Sequence, residues 1–134
     1  MNRLERFCRA LAALEKCGAL PRPCDTAART GLAVIFDRCF EQAWQLLRDV
    51  LLDEGFSPEK LGTPRAVIKL AWQAYLVSDE EAWLAMMDER RQLASRYFIE
   101  VGEEAAERVV SVFLPALRAL RDEAVRRRSE GCGR

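Results

Sequence analysis

Apolar residues recur every three or four positions along most of this sequence, which is the spacing of one face of an α-helix. The first such stripe consists of Leu4, Phe7, Cys8, Leu11 and Leu14. Gly18 and the proline-containing segment that follows it end this pattern, because both residue types interrupt helices. No stretch alternates apolar and polar residues as a half-buried strand does, so the pattern predicts an all-α fold.

A second and longer helix is predicted to begin at Asp25, whose carboxylate can cap the first turn. Its apolar stripe comprises nine residues, Leu32, Ile35, Phe36, Cys39, Phe40, Ala43, Trp44, Leu47 and Leu51. Gly55 closes this helix and opens a loop. Thr63 followed by Pro64 predicts the next helix start, a cap followed by a proline in the first turn. The residues expected to face inward on that helix are Val67, Ile68, Ala71 and Tyr75.

Two more helices complete the prediction. Ser78 and Glu81 have the spacing of a capping box, which predicts a helix start at Ser78. A break is expected near Gly102, and Pro115 should kink the helix that follows it. That last helix should bury Val109, Val112, Phe113, Ala116, Leu117 and Leu120. We expect an antiparallel up-and-down bundle of about five helices with a four-helix core, formed by residues 1–128, and a frayed tail at 129–134.

Arg90 interrupts one of these stripes. Its apolar neighbours on the predicted helix face are Trp83, Met86, Met87, Leu93, Ala94 and Tyr97. A guanidinium keeps its charge, so on a buried face it must meet a partner or a cavity. Two explanations remain open. Arg90 lines a binding cleft, or it extends its charged end to solvent or pairs with Glu41 or another acid at the edge of the core.

The charge and composition narrow the function classes. The 134 residues include 21 basic and 21 acidic side chains, and a balanced charge gives no reason to expect a nucleic-acid or membrane-surface partner. The apolar runs are too short for a transmembrane helix, and the first residues lack the pattern of a signal peptide. We therefore expect a cytoplasmic protein that has no contact with a membrane.

The residue types also exclude common catalytic chemistry. There is no histidine among the 134 residues, which removes the most frequent general base. The 5 cysteines form no Cys-x-x-Cys pair, and scattered thiols are a poor match to zinc-ligand spacings. The sequence therefore predicts no metal, no cofactor and no catalytic residues, with Cys8 and Cys39 as small core side chains.

Four segments in order carry a family resemblance. Residues 36–51 contain Phe-x3-Phe-Glu-x2-Trp, and the other three segments are GTPRAVIKLAWQAYLV, WLAMMDERRQLASRYF and VFLPALRAL. From about Leu32 to Leu120 the chain resembles the nucleotidyltransferase substrate-binding proteins, which are helical partners of minimal nucleotidyltransferases within the wider HEPN group. The resemblance implies a homodimer whose paired helices line a shared cleft, and a small nucleotidyltransferase as partner.

The HEPN motif is Arg, four residues, His, one residue, Tyr. Aligned from Trp83, its Arg falls on Arg90 and its Tyr on Tyr97, whereas Ser95 occupies the His position and Arg91 follows the Arg. A register shifted by one residue retains less of the motif. The resemblance thus makes Arg90, Arg91, Ser95 and Tyr97 candidate cleft residues, and Tyr97 a candidate acceptor of a nucleotidyl group. The alternative for Tyr97 is a tyrosine that covers the end of an apolar stripe.

The motif has lost its base, since a serine cannot replace imidazole near neutral pH. We therefore expect a non-catalytic partner of a minimal nucleotidyltransferase, in a two-gene pair of toxin–antitoxin type. Two alternatives stay open, a HEPN-type ribonuclease toxin with a degraded motif and a nucleotide-binding bundle that acts alone. A nucleotide is a further candidate partner.

Overall fold

The fold is described from a computed structural model, which describes residues 2–19, 25–95 and 102–132, without the side chains of 94–95 and 129–132. Four separate helices come first: α1 (Arg3–Gly18), α2 (Thr26–Asp53), α3 (Pro64–Gln73) and α4 (Glu80–Ser95), with a short 3₁₀ turn at Pro58–Leu61. The last helical unit comprises α5 (Glu103–Arg108), a π-helical turn (Val109–Phe113) and α6 (Leu114–Cys132). The predicted all-α bundle of about five helices is confirmed.

Polar side chains cap the helix starts. The Asp25 carboxylate accepts a hydrogen bond from the Ala28 amide at 2.8 Å, and the Thr63 hydroxyl accepts one from the Ala66 amide at 3.2 Å, as predicted. The predicted cap at Ser78 is wrong. Asp79 accepts from the Ala82 amide at 3.1 Å, so α4 begins one residue later, because the neighbouring carboxylate takes the capping position.

The core lies between α1, α2, α3, α4 and the last helical unit. The predicted stripes of α1 and α2 are buried or half-buried throughout. Phe36 of α2 stacks on Phe113, with ring centroids 5.2 Å apart, and Phe40 lies 6.3 Å from the Trp83 ring of α4. Each fully buried apolar side chain of this size contributes about 1.5–3 kcal/mol, so these contacts hold the helices together.

Two residues expected in the core are exposed. Tyr75 is 86% exposed and has a φ of 62°, because α3 ends at Gln73 and the chain reverses before the helical period brings Tyr75 inward. Val112 is also exposed, and it lies in the π-helical turn. That turn ends two residues before Pro115. It rotates the side chains away from the α-helical positions on which the prediction was based.

Ion pairs show the direction in which the helices run relative to one another. Arg3 near the start of α1 meets Asp49 near the end of α2 at 3.1 Å, so these two helices are antiparallel. Glu15 near the end of α1 meets Arg118 of α6 at 2.9 Å.

Within the described ranges, no helix combines the length and the apolar character that a bilayer crossing requires.

Candidate functional site

The inward face of α4 differs from the predicted one. Its buried residues are Ala82, Trp83, Met86 and Glu89, so the face turned to the core is centred beside Arg90 and not on it. The Arg90 side chain is 29% exposed. It therefore lies at the edge of the core, where α4 packs against α2.

Arg90 meets three side chains from one turn of α2. Its Nε atom donates to Asp37 Oδ1 at 2.6 Å, and its Nη2 atom lies 2.6 Å from Glu41 Oε2. Between these two carboxylates, the guanidinium carbon is 5.5 Å from the centroid of the Phe40 ring. The fork of the guanidinium suits such a two-carboxylate arrangement, and the ring face adds a cation–π contact.

Hydrogen bonds keep this cluster ionised. Glu41 also accepts hydrogen bonds from Trp44 Nε1 at 3.0 Å and from Gln45 Nε2 at 2.5 Å. Burial raises the pKa of Glu41, but the hydrogen bonds from Trp44, Arg90 and Gln45 outweigh it and the net pKa is lowered. Burial lowers the pKa of Arg90, but Asp37 and Glu41 raise it above its ordinary value. Of the two explanations for Arg90, the pairing with core-edge acids is the contact observed, and its role in a cleft stays a prediction.

Of the other three motif residues, only Arg91 has a side chain in the described part of the chain. Arg91 is exposed and pairs with Asp88 of its own helix. Ser95 ends α4, but its side chain lies outside the described residues, as does all of Tyr97. Their proposed parts in a binding cleft therefore stay predictions.

An open depression of about 450 Å³ lies beside the Arg90 cluster, between α1 and α2. We call it the α1–α2 depression, and its charged lining consists of Arg6, Arg9, Asp37, Arg38, Glu41 and Arg90. Arg6, Arg9 and Arg38 were not predicted as site residues, because they come from two helices that meet only in the folded chain. The spacing of Arg6 and Arg9, which places both on one helix face, was the available signal.

Glu89 was also missed. It is 5% exposed and lies 3.0 Å from Arg108 Nη2 of α5. The residue follows Met86 by three positions, so its place on the inward face was available from the helical period. A charged side chain is usually predicted at the surface, but carboxylates are buried where they pair with a cation.

The described residues contain no group of three or more metal-ligand side chains. Burial raises the pKa of the Cys39 thiol to about 12, so this buried cysteine stays protonated and unreactive near neutral pH. Cys8, Cys17 and Cys39 are free thiols.

Comparison with known proteins bears on the whole chain. No curated protein matches it significantly. A crystal structure of a protein from Thermus thermophilus superimposes with a TM-score of 0.67 at 25% sequence identity, over 90% of this chain and 97% of that one. The profile of the family described as nucleotidyltransferase substrate binding protein like matches residues 2–126. This profile covers nearly the full length of the chain, and the chain has the helical bundle that the resemblance implies. The chain belongs to the nucleotidyltransferase substrate-binding protein family.

Proposed function

We propose that this protein is the non-catalytic, substrate-binding partner of a separately encoded minimal nucleotidyltransferase. The observation that carries the proposal is the family match over residues 2–126. In this assignment the transferase provides the chemistry, and the helical bundle provides a surface that binds the transferase and holds a substrate. The pair is cytoplasmic and of toxin–antitoxin type.

The surroundings of Arg90 support a non-catalytic role. A ribonuclease of the HEPN type needs the motif arginine available for a phosphate, whereas Arg90 is held by Asp37 and Glu41 at 2.6 Å each. Two carboxylates neutralise the guanidinium and repel a phosphate that approaches it. The chain also has no histidine that could act as a general base near neutral pH.

We further propose a homodimer formed through α2 and α4. Val34 of α2 is 50% exposed, and Met87 and Leu93 of α4 are only half-buried. Apolar side chains left at the surface of two adjacent helices support pairing with the same helices of a second copy. Light scattering at micromolar concentration should then give twice the chain mass, and a monomer would contradict the dimer.

The partner role predicts that a small nucleotidyltransferase is encoded beside this gene, and co-expression of the two proteins tests it. We expect a stable complex in size-exclusion chromatography, and no cleavage of RNA by the purified chain alone. Failure of the two proteins to associate, with the transferase active, would refute the partner role. RNA cleavage that is lost in Arg90→Ala would instead establish the ribonuclease alternative.

A further inference from the structure

We propose that the α1–α2 depression binds the phosphate chain of a nucleoside di- or triphosphate, through Arg6, Arg9 and Arg38. The proposal deepens the proposed function, because it names the class of substrate that the substrate-binding partner holds. The site itself is argued from the arrangement of charges in the depression, independently of the transferase.

The antiparallel packing of α1 and α2 brings these arginines together. Arg6 and Arg9 are three residues apart on α1, so they share one face of that helix. Arg38 comes from the facing part of α2, and all three side chains line the same depression. Each of the three is exposed to solvent.

The charge of the depression is positive. Its lining holds four guanidinium groups against two carboxylates, and both carboxylates are engaged by Arg90. Across the described part of the chain, Arg6, Arg9 and Arg38 have no carboxylate within ion-pair distance. The lining therefore carries a net positive charge, and three arginines without ion pairs around one concavity raise the local concentration of anions.

The shape of the depression favours a small ligand. A volume of about 450 Å³ lies within the range of roughly 300–1,000 Å³ that small-molecule sites occupy. Guanidinium groups bind phosphate oxygens in a forked, bidentate manner. One phosphate occupies one or two such forks, so three arginines on two walls fit a chain of two or three phosphates.

The Arg90 cluster sets the direction of the bound ligand. Asp37 and Glu41 lie on the side of the depression next to α4, and they repel an anion there. The phosphates are therefore drawn towards Arg6 and Arg9 on α1. Gln42, another lining residue, has a buried Oε1 atom with no donor among the described residues, and rotation of this side chain allows it to accept a hydrogen bond from a ribose hydroxyl or a base amine.

Isothermal titration calorimetry on the purified full chain, without transferase and without magnesium, tests the proposal with ATP, tripolyphosphate and adenosine. We expect ATP and tripolyphosphate to bind and adenosine not to bind. Arg6→Gln, Arg9→Gln and Arg38→Gln should each weaken ATP binding about tenfold, since a hydrogen bond to a charged group contributes about 1.5–3 kcal/mol. Arg65→Gln is the matched control, because Arg65 of α3 is equally exposed and lies outside the depression.

The outcomes separate the possible ligands. Equal affinity for ATP and tripolyphosphate supports a site that recognises the phosphate chain alone, and tighter binding of ATP supports recognition of the nucleoside as well. The proposal is overturned if neither polyphosphate binds, or if Arg65→Gln weakens binding as much as the three site variants. Circular dichroism checks that every variant is folded.

Measuring ATP binding and transferase binding separately distinguishes this site from the partner role. If ATP binding is absent while the complex with the transferase forms, the site is wrong and the proposed function stands. If ATP binds through the three arginines but no transferase associates, the site stands and the chain acts as a nucleotide-binding bundle alone.

Discussion

Arg108 of α5 donates from its Nη2 atom to Glu89 Oε1 of α4 over 3.0 Å, although Glu89 is 5% exposed. This contact joins two helices on either side of residues 96–101, a segment outside the described part of the chain. A carboxylate this deeply buried needs a cation nearby, because desolvation of an unpaired charge is costly. The pair therefore fixes how the last helical unit lies against α4.

Arg108→Met should lower the free energy of unfolding by about 1–3 kcal/mol, since it removes a charged donor from a buried carboxylate. Urea denaturation followed by circular dichroism measures the change. In Arg108→Met/Glu89→Gln, part of the loss should be recovered, because a neutral amide is less costly to bury. A double variant less stable than Arg108→Met would show that Glu89 has another stabilising role.

Arg90→Met should destabilise the fold by about 1–2 kcal/mol, because Asp37 and Glu41 would then repel each other without a cation between them. This loss is smaller than for a fully buried pair, because the cluster is partly exposed and water screens its charges. Arg90→Met/Asp37→Asn/Glu41→Gln removes all three charges, so it should be more stable than Arg90→Met in the same denaturation assay. Arg91→Met, on the exposed side of α4, is the control and should change stability little.

Glu41 should make the fold sensitive to acid. Hydrogen bonds hold its pKa below the ordinary value despite the opposing effect of burial, so its stabilising contribution is complete above about pH 4.3. The contribution is lost as the pH falls through the lowered pKa. Glu41→Gln should therefore be less stable than the native chain at pH 7, and the difference should shrink by pH 3. A difference that is unchanged between pH 7 and pH 3 would contradict this assignment.

A second carboxylate extends this loss to lower pH. Hydrogen bonds from Arg126 and Arg127 lower the pKa of Glu123 to about 2. The native chain should therefore continue to lose stability as the pH falls towards about 2. The same acid titration carried out on Glu123→Gln checks the origin of that last part of the curve.

Tyr97 is proposed as the acceptor of a nucleotidyl group from the partner transferase. Incubation with the transferase, ATP and magnesium should then add the mass of one or more nucleotidyl groups, detectable by intact mass spectrometry. Tyr97→Phe should abolish the adduct. Tyr75→Phe is a matched control, because Tyr75 is the other of the 2 tyrosines and is 86% exposed. An adduct that persists in Tyr97→Phe would place the modification elsewhere.

The sequence predicted those parts of the fold that depend on a regular period and on single capping residues. The long stripe from Leu32 to Leu51 fixes α2, and Thr63 with Pro64 fixes the start of α3. Prediction failed where two solutions compete locally. Ser78 and Asp79 are adjacent capping residues, and only the folded chain decides which one accepts the hydrogen bond.

The candidate site was predictable only in part. The apolar stripe indicated that Arg90 needs a partner, and Glu41 was one of the predicted partners. Asp37 and the α1–α2 depression require knowledge of how α1 and α2 pack, since Arg9 and Arg38 are far apart in sequence. A hydrophobic period locates the face that packs inward, but it does not determine which polar residues meet at the rim of two packed faces.

The unpaired arginines of the α1–α2 depression also determine the distance over which this protein attracts an anion. With a formal net charge of +0, the molecule has no monopole field to draw anions from a distance. The local positive potential extends only about one Debye length, roughly 8 Å at physiological ionic strength. Long polyanions such as RNA gain little from so small a patch, whereas a short phosphate chain fits entirely within its range. The proposed site should therefore bind small phosphates in preference to nucleic acids, because its positive patch is short.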